Sequence, residues 1–259
     1  MIFNIHLQQK KSLCGARVRI AWNSDRTTTI GGTVRIEGLY YALTALHPFL
    51  KPSADEDGDF SKSANLSLPG DGVSKTKMFP YKFPASFRSR TMYAEHGDDN
   101  RVVAYLPGYK DTSELDPAFW SVQQNWALFR LCDQSPKANR LTIEGQRVLC
   151  PSKVSRTSPR GQLWCLTANS SRPPVRTDAF GRMSGGCSTA TGGTLPTTYH
   201  LSMVSFAEDA GAWIVDSGDN GSLFGMIVAQ DDESFTSYAI SAADVFDELR
   251  DRFPDIVIA

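Results

Sequence analysis

The sequence predicts an all-β fold, a barrel or a sandwich, with a single helix at the C-terminus. Short runs rich in Val, Ile, Thr and aromatic residues recur along its whole length, punctuated by Gly, Pro, Asn and Asp. Helical periodicity is confined to residues 241–253. A polar, Pro-containing connector at 133–139 separates two groups of strand-like runs. With 259 residues, 41% of them hydrophobic, the chain can build one large domain or two compact lobes with a core each.

Residues 13–22 (LCGARVRIAW) mix β-branched and small residues and predict the first strand. Residues 23–26 predict a turn. Residues 27–36 are rich in Thr, Val and Ile and predict the next strand, with Gly31-Gly32 marking a bulge or a tight bend. The apolar run 40–46 predicts another, which ends at His47-Pro48 because proline has no N–H for a continuing ladder. Residues 50–75 are dominated by Ser, Asp, Gly, Lys and Pro and predict a surface loop. Lys75, Lys77, Lys82, Arg88 and Arg90 follow, interleaved with Phe79, Tyr81, Phe83 and Phe87. Such interleaving suits single-stranded nucleic acid, but the chain has no basic excess, and the stretch is read as a solvated loop pinned by aromatic anchors.

Strands are expected at 101–106 and 125–131 before the connector. After it they are expected near 142–149, 161–168, 199–206, 212–215, 223–229 and 234–240. The turn Asp216-Ser217-Gly218-Asp219-Asn220-Gly221 joins two of these as a hairpin, since Gly and Asn tolerate positive φ. The Gly/Ser/Thr-rich stretch 181–196 predicts a loop or weak β structure. Ser241 offers an N-cap with Asp244 three residues on. Val245, Phe246, Leu249 and Phe253 then share one helical face, and Pro254 marks the end.

Composition excludes several classes. The net charge of −1 implies neither nucleic acid nor an acidic membrane as partner. No run approaches the ~20 apolar residues of a membrane span, and the N-terminus lacks the long apolar core of a signal peptide. Five widely spaced cysteines (Cys14, Cys132, Cys150, Cys165, Cys187) suit reduced thiols, so a cytoplasmic location is expected. The glycosylation triplets at Asn65, Asn169 and Asn220 are read as chance matches. No metal-ligand spacing occurs, and no cofactor is expected.

Chemistry-bearing residues fall in the order His47, Asn125, Ala210. LTALH (43–47) ends a strand on a histidine. NWALFRL (125–131) starts one on an asparagine. EDAGAWIVDSGDNGSLFGMIVA (208–229) carries a tight turn, Glu208-Asp209-Ala210-Gly211, ahead of two strands. Peptide-bond hydrolysis by a serine enzyme needs a hydroxyl, an imidazole that takes its proton, an acid that orients the imidazole, and backbone N–H groups facing the oxyanion. Gly218–Ser222 could also be aligned with a nucleophile turn, but that would leave residues 212–215 without a role.

These segments, with GRMSGGCS (181–188), resemble four blocks of trypsin-like serine proteases, especially fungal intracellular trypsin-like domains. Those domains typically run LTVAH, DWALIEL, GRLSG and GDSGSWVVD. The blocks are scattered between Cys14 and about Leu249. The resemblance implies two six-stranded antiparallel β-barrels of chymotrypsin type, residues 1–135 and 136–259, with a protein or peptide segment bound between them. It implies catalytic positions at His47, Asn125 and Ala210, and an oxyanion hole at Glu208 and Ala210. It places the substrate pocket at Val204 and Ser205, walled by Met226, Ile227, Val228, Ala229 and residues 237–239. With no Asp at the base, a small or apolar P1 residue is expected.

The departures carry the functional expectation. Ala210 stands where the family has its serine, and a methyl group cannot attack a carbonyl. Loss of that nucleophile costs on the order of 10⁶ in turnover. Asn125 replaces the aspartate that orients the histidine, a change worth about 10⁴ in a trypsin-type triad. Glu208 replaces the glycine whose N–H helps form the oxyanion hole. Asp209 persists. In activated members of the family it pairs with a freed N-terminal amine. Three readings follow: a non-cleaving homologue that binds peptide, an active endopeptidase represented by an Ala210 form, with a regulated-death or immune effector protein as substrate, or a partner-binding β domain.

Overall fold

The computed structural model describes residues 12–20, 23–49, 91–94, 102–108, 116–135, 138–143, 147–159, 162–166, 174–183, 196–218, 221–231 and 236–259. The expectations for 50–90, most of 181–196, Cys187, Asn65, Asn169 and Asn220 lie outside them.

The first sheet contains β1 (Arg17–Ile20), β2 (Asn23–Thr29), β3 (Gly32–Ile36), β4 (Leu39–Ala45), β5 (Thr91–Ala94), β6 (Val102–Tyr105), β7 (Trp120–Ser121) and β8 (Trp126–Leu131). A hairpin of β9 (Leu141–Ile143) and β10 (Arg147–Leu149) follows. The second sheet contains β11 (Lys153–Val154), β12 (Leu163–Cys165), β13 (Val175–Thr177), β14 (Ala179–Met183), β15 (Thr198–Leu201), β16 (Trp213–Asp216), β17 (Ser222–Asp231) and β18 (Thr236–Ser241). The helix α1 (Ala242–Arg252) and the short β19 (Val257–Ile258) complete the chain as described. The first sheet runs β19-β3-β4-β8-β6-β5-β1-β2, with β7 also on β8, and the second runs β13-β12-β16-β17-β18-β15-β14, with β11 on β17.

Period-two alternation explains how the cores divide. On β4 and β8, paired from Tyr41↔Arg130 to Ala45↔Trp126, one face carries Ala42, Ala127, Phe129 and Leu131 into the first-barrel core. The other face carries Tyr41, Leu43, Ala45, Trp126 and Leu128 into a cluster shared with the second barrel. β12 and β16 do the same. Leu163, Cys165, Ala212 and Ile214 fill the second barrel, while Trp164, Trp213 and Val215 join the shared cluster.

Trp213, fully buried, is the centre of that contact. Its indole lies against Gly31 and Gly32, where any Cβ would overlap the ring. The glycine pair therefore makes room for a side chain from the other barrel. Residues 27–36 divide between β2 and β3, with the break at Ile30-Gly31, which fits the tight bend rather than the bulge. Other expectations shift locally. Residues 23–26 belong to β2 instead of a turn. The run 142–149 folds into the β9–β10 hairpin. The run 199–206 leaves the sheet after Leu201, because Ser237 Oγ donates to the Met203 carbonyl at 2.7 Å and accepts the Ser205 N–H at 3.0 Å.

The connector is anchored on the first barrel at both ends: Gln134 bonds the Tyr40 N–H and carbonyl at 2.7 and 3.1 Å, and Asn139 bonds β3. Asn139 is 2% exposed. Its Oδ1 accepts the Thr33 N–H at 2.7 Å, and its Nδ2 donates to the carbonyls of Thr33 (2.7 Å) and Ala259 (2.9 Å). The helix forms as expected, with Ser241 Oγ accepting the Asp244 N–H and Val245, Phe246 and Leu249 buried. It reaches across to the first barrel. Trp126 Nε1 donates to Glu248 Oε2 at 2.8 Å. Arg252 donates to the carbonyls of Pro117 and Trp120, each at 2.8 Å, and its guanidinium lies 4.9 Å from the Trp126 ring. β19 then pairs with β3. Residues 242–259 thus belong structurally to both lobes. No helix among the described residues is long and apolar enough to cross a membrane.

Candidate active site

His47 opens a 3₁₀ turn (His47–Phe49) where β4 ends, with Pro48 and Phe49 buried beneath it. Asn125 ends the turn between β7 and β8, at φ 49°, a conformation that Asn adopts more readily than most residues. Its backbone carbonyl accepts the Leu46 N–H at 3.2 Å. Its Oδ1 accepts the His47 N–H at 2.9 Å. That leaves Nδ2 3.0 Å and Oδ1 3.3 Å from His47 Nδ1. Histidine and asparagine are therefore in direct contact, held by the neighbouring ends of β4 and β8.

The turn 207–211 comes from the other barrel. Ala207–Asp209 form one 3₁₀ turn. Asp209, 4% exposed, accepts the Phe206 N–H on Oδ2 at 2.9 Å and donates its own N–H to the Phe206 carbonyl at 2.8 Å. Ala210 follows, also 4% exposed, with its N–H 3.4 Å from the Ala207 carbonyl. Gly211 has φ 92°, and a Cβ there would collide with Thr44 Oγ1 and the Thr29 carbonyl and lie 3.0 Å from Ala45 N. The turn thus docks on β4 two to three residues before His47.

Thr28 Oγ1 and Thr29 N donate to the Ala210 carbonyl at 2.8 and 2.9 Å, and Thr29 Oγ1 donates to the Glu208 carbonyl at 2.7 Å. The Glu208 carboxylate pairs with Arg17 at 3.3 Å. Arg17, Thr28 and Thr29 escaped sequence reasoning, because nothing local marks a strand residue whose partner lies some 180 positions away.

The expected pocket residues divide. Val204 is 44% exposed, while Ser205 is buried and hydrogen-bonded to Ser237. Met226, Ile227 and Val228 are buried, and Ala229 is half-buried. Met226 and Val228 pack into the shared cluster and Ile227 into the second-barrel core. The Ile227 backbone bonds to Gly211 and Ala212, which ties this strand to the turn.

No hydroxyl stands at position 210. Cys14 cannot substitute: its Sγ donates to the Gly31 carbonyl at 3.0 Å, and burial pushes its thiol far above the ordinary range.

No protein-family model and no curated protein matches the sequence. Solved structures match by shape. The chain superposes on alpha-lytic protease homolog N4 with a TM-score of 0.53 and 12% identity, over 95% of this chain and 97% of that one. Against a glutamic acid-specific serine protease the values are 0.54 and 9%, over 95% and 98%. Against Thermobifida fusca Protease A they are 0.52 and 9%, over 95% and 97%. The fold is the chymotrypsin-type double barrel. In this double barrel His47 and Asn125 stand at the ends of β4 and β8, and Ala210 lies on a turn of the second barrel that packs against β2 and β4.

Proposed function

We propose that the chain is a trypsin-like serine protease homologue that holds a protein or peptide segment between its barrels without cleaving it. One observation carries this reading: the His47–Asn125 pair and the Ala210 turn dock on the end of β4 with a methyl group in place of the nucleophile. Two further features support loss of chemistry. An amide faces His47 where an anion is needed to stabilise an imidazolium, and the Ala210 N–H is turned back onto Ala207.

The exposed Val204 side chain and the absence of an acid at 204–205 support a small or apolar P1 residue. The four motif blocks support placing the chain near the fungal intracellular trypsin-like domains, and hence in the cytoplasm.

The test is incubation with fluorophosphonate and with denatured proteins. No labelling and no cleavage are expected, together with saturable retention of apolar peptides. Stoichiometric labelling, or cleavage blocked by a serine-protease inhibitor, overturns the reading.

A further inference from the structure

We propose that residues 207–210 form a closed oxyanion site, held shut by a latch in which Arg17 and Thr29 grip Glu208. This rests on the reading of position 210 given above. An oxyanion site works only if its N–H groups point at the carbonyl to be bound. Here the Ala210 N–H, one of the two expected donors, faces Ala207 O (3.4 Å), while the flanking N–H groups of Asp209 and Gly211 fix the turn through Phe206 O (2.8 Å) and Ile227 O (2.9 Å). A bound carbonyl can reach the Ala210 N–H only if the Ala207 carbonyl swings away.

The bond from Ala210 to Ala207 is too long to hold this closure alone. The stronger grips come from β2 and its neighbour. The Glu208 carbonyl takes the Thr29 hydroxyl at 2.7 Å. The Glu208 carboxylate pairs with Arg17 at 3.3 Å, and Arg17 is itself held to Thr27 Oγ1 at 3.1 and 3.2 Å. Thr28 and Thr29 fix the other end of the turn at the Ala210 carbonyl. Both ends of the 208–210 segment are therefore clamped. Glycine at 208 would lack the carboxylate and turn freely. Glu208 and Arg17 are thus positioning residues that set the state of the turn.

Amide hydrogen exchange on the full chain tests this. In Arg17→Ala and Glu208→Gln, which remove the ion pair, the Ala210 N–H should exchange about three- to fivefold faster. Glu208→Gly should reach roughly tenfold, because it adds backbone freedom. Leu128 and Ile240 should keep their rates, which shows that the fold is intact. Unchanged exchange at Ala210 in both Arg17→Ala and Glu208→Gln overturns the latch.

A second arm uses p-nitrophenyl acetate with the Ala210→Ser/Asn125→Asp chain. Adding Glu208→Gly should raise hydrolysis about 10²-fold if it opens the hole, and no gain over a hydrolysing double variant also overturns the proposal. Silence of every variant towards the ester, with Ala210 exchange responding as stated, counts against the protease reading and upholds the latch.

Discussion

The Asn125 side chain presents its Nδ2 to His47 Nδ1 at 3.0 Å, because its Oδ1 is already engaged by the His47 N–H at 2.9 Å. With Nδ2 nearer to Nδ1 than Oδ1 is (3.0 against 3.3 Å), the contact favours the tautomer that carries the imidazole proton on Nε2. A ring in this tautomer cannot receive a proton from a hydroxyl through Nε2.

On the function proposed above, a serine at position 210 is not enough by itself. Ala210→Ser should hydrolyse an activated ester only weakly. Adding Asn125→Asp, which turns an acceptor towards Nδ1, should raise kcat by up to about 10⁴. Equal rates for the single and double variants would show that the amide at 125 does not set the tautomer.

Gly31 and Gly32 should be intolerant of even one methyl group. Alanine at either position overlaps the Trp213 indole, and overpacking of a filled core costs about 1–3 kcal/mol. For a chain of this size each kcal/mol lowers Tm by roughly 2–4 °C. Calorimetry on Gly31→Ala and Gly32→Ala measures this. Trp213→Ala should cost about 3–5 kcal/mol through the cavity it leaves.

Asn139→Leu keeps the bulk and removes the side-chain hydrogen bonds to Thr33 and Ala259. The two carbonyls keep backbone donors (the Ala259 N–H on Thr33, the residue-139 N–H on Ala259), so removal of the acceptor from the buried Thr33 N–H should dominate, at about 1–3 kcal/mol, read as a lower urea midpoint. A midpoint unchanged from the parent would show that the connector is only a tether.

Acid should act through Arg156 and Asp247. The guanidinium donates to Oδ2 at 2.9 Å and holds the Asp247 carboxyl below its ordinary range, chiefly through that hydrogen bond. A carboxylate whose native pKa is lowered contributes stability above its unfolded value, about 3.9. That contribution disappears as pH falls through the native value. Both side chains are about half exposed, so Arg156→Gln should cost at most ~1 kcal/mol at pH 7. Unfolding curves of parent and variant should converge on acidification, and a gap that widens as pH falls contradicts the assignment.

Local chemistry made much of this architecture legible. The apolar run that forms β8 and the capped, one-faced helix after Ser241 are visible because their own composition and period mark them without reference to a partner. The order of His47, Asn125 and Ala210 was visible for the same reason, since each sits in a short block with its own strand. What stayed hidden depends on distant partners. Gly31-Gly32 looks like a bulge until Trp213 arrives, and Asn139 looks like linker until Thr33 and Ala259 enclose it. Nothing beside Glu208 in the sequence marks its partner, which in the folded chain is Arg17. Within 142–149 the signal of the reversal is Gly145 between two short apolar runs, and the folded chain pairs those runs as β9 and β10.

The pairing of β19 with β3 gives the molecule a built-in schedule. Val257↔Arg35 and Ile258↔Val34 join positions more than two hundred residues apart. A ribosome adds about 5–20 residues per second, so the edge of the first sheet stays unpaired for roughly ten seconds or more after it is made. During that interval the first barrel is an incomplete substrate for aggregation and for chaperones. It closes its edge only when residues 257–258, carried there by α1, leave the exit tunnel.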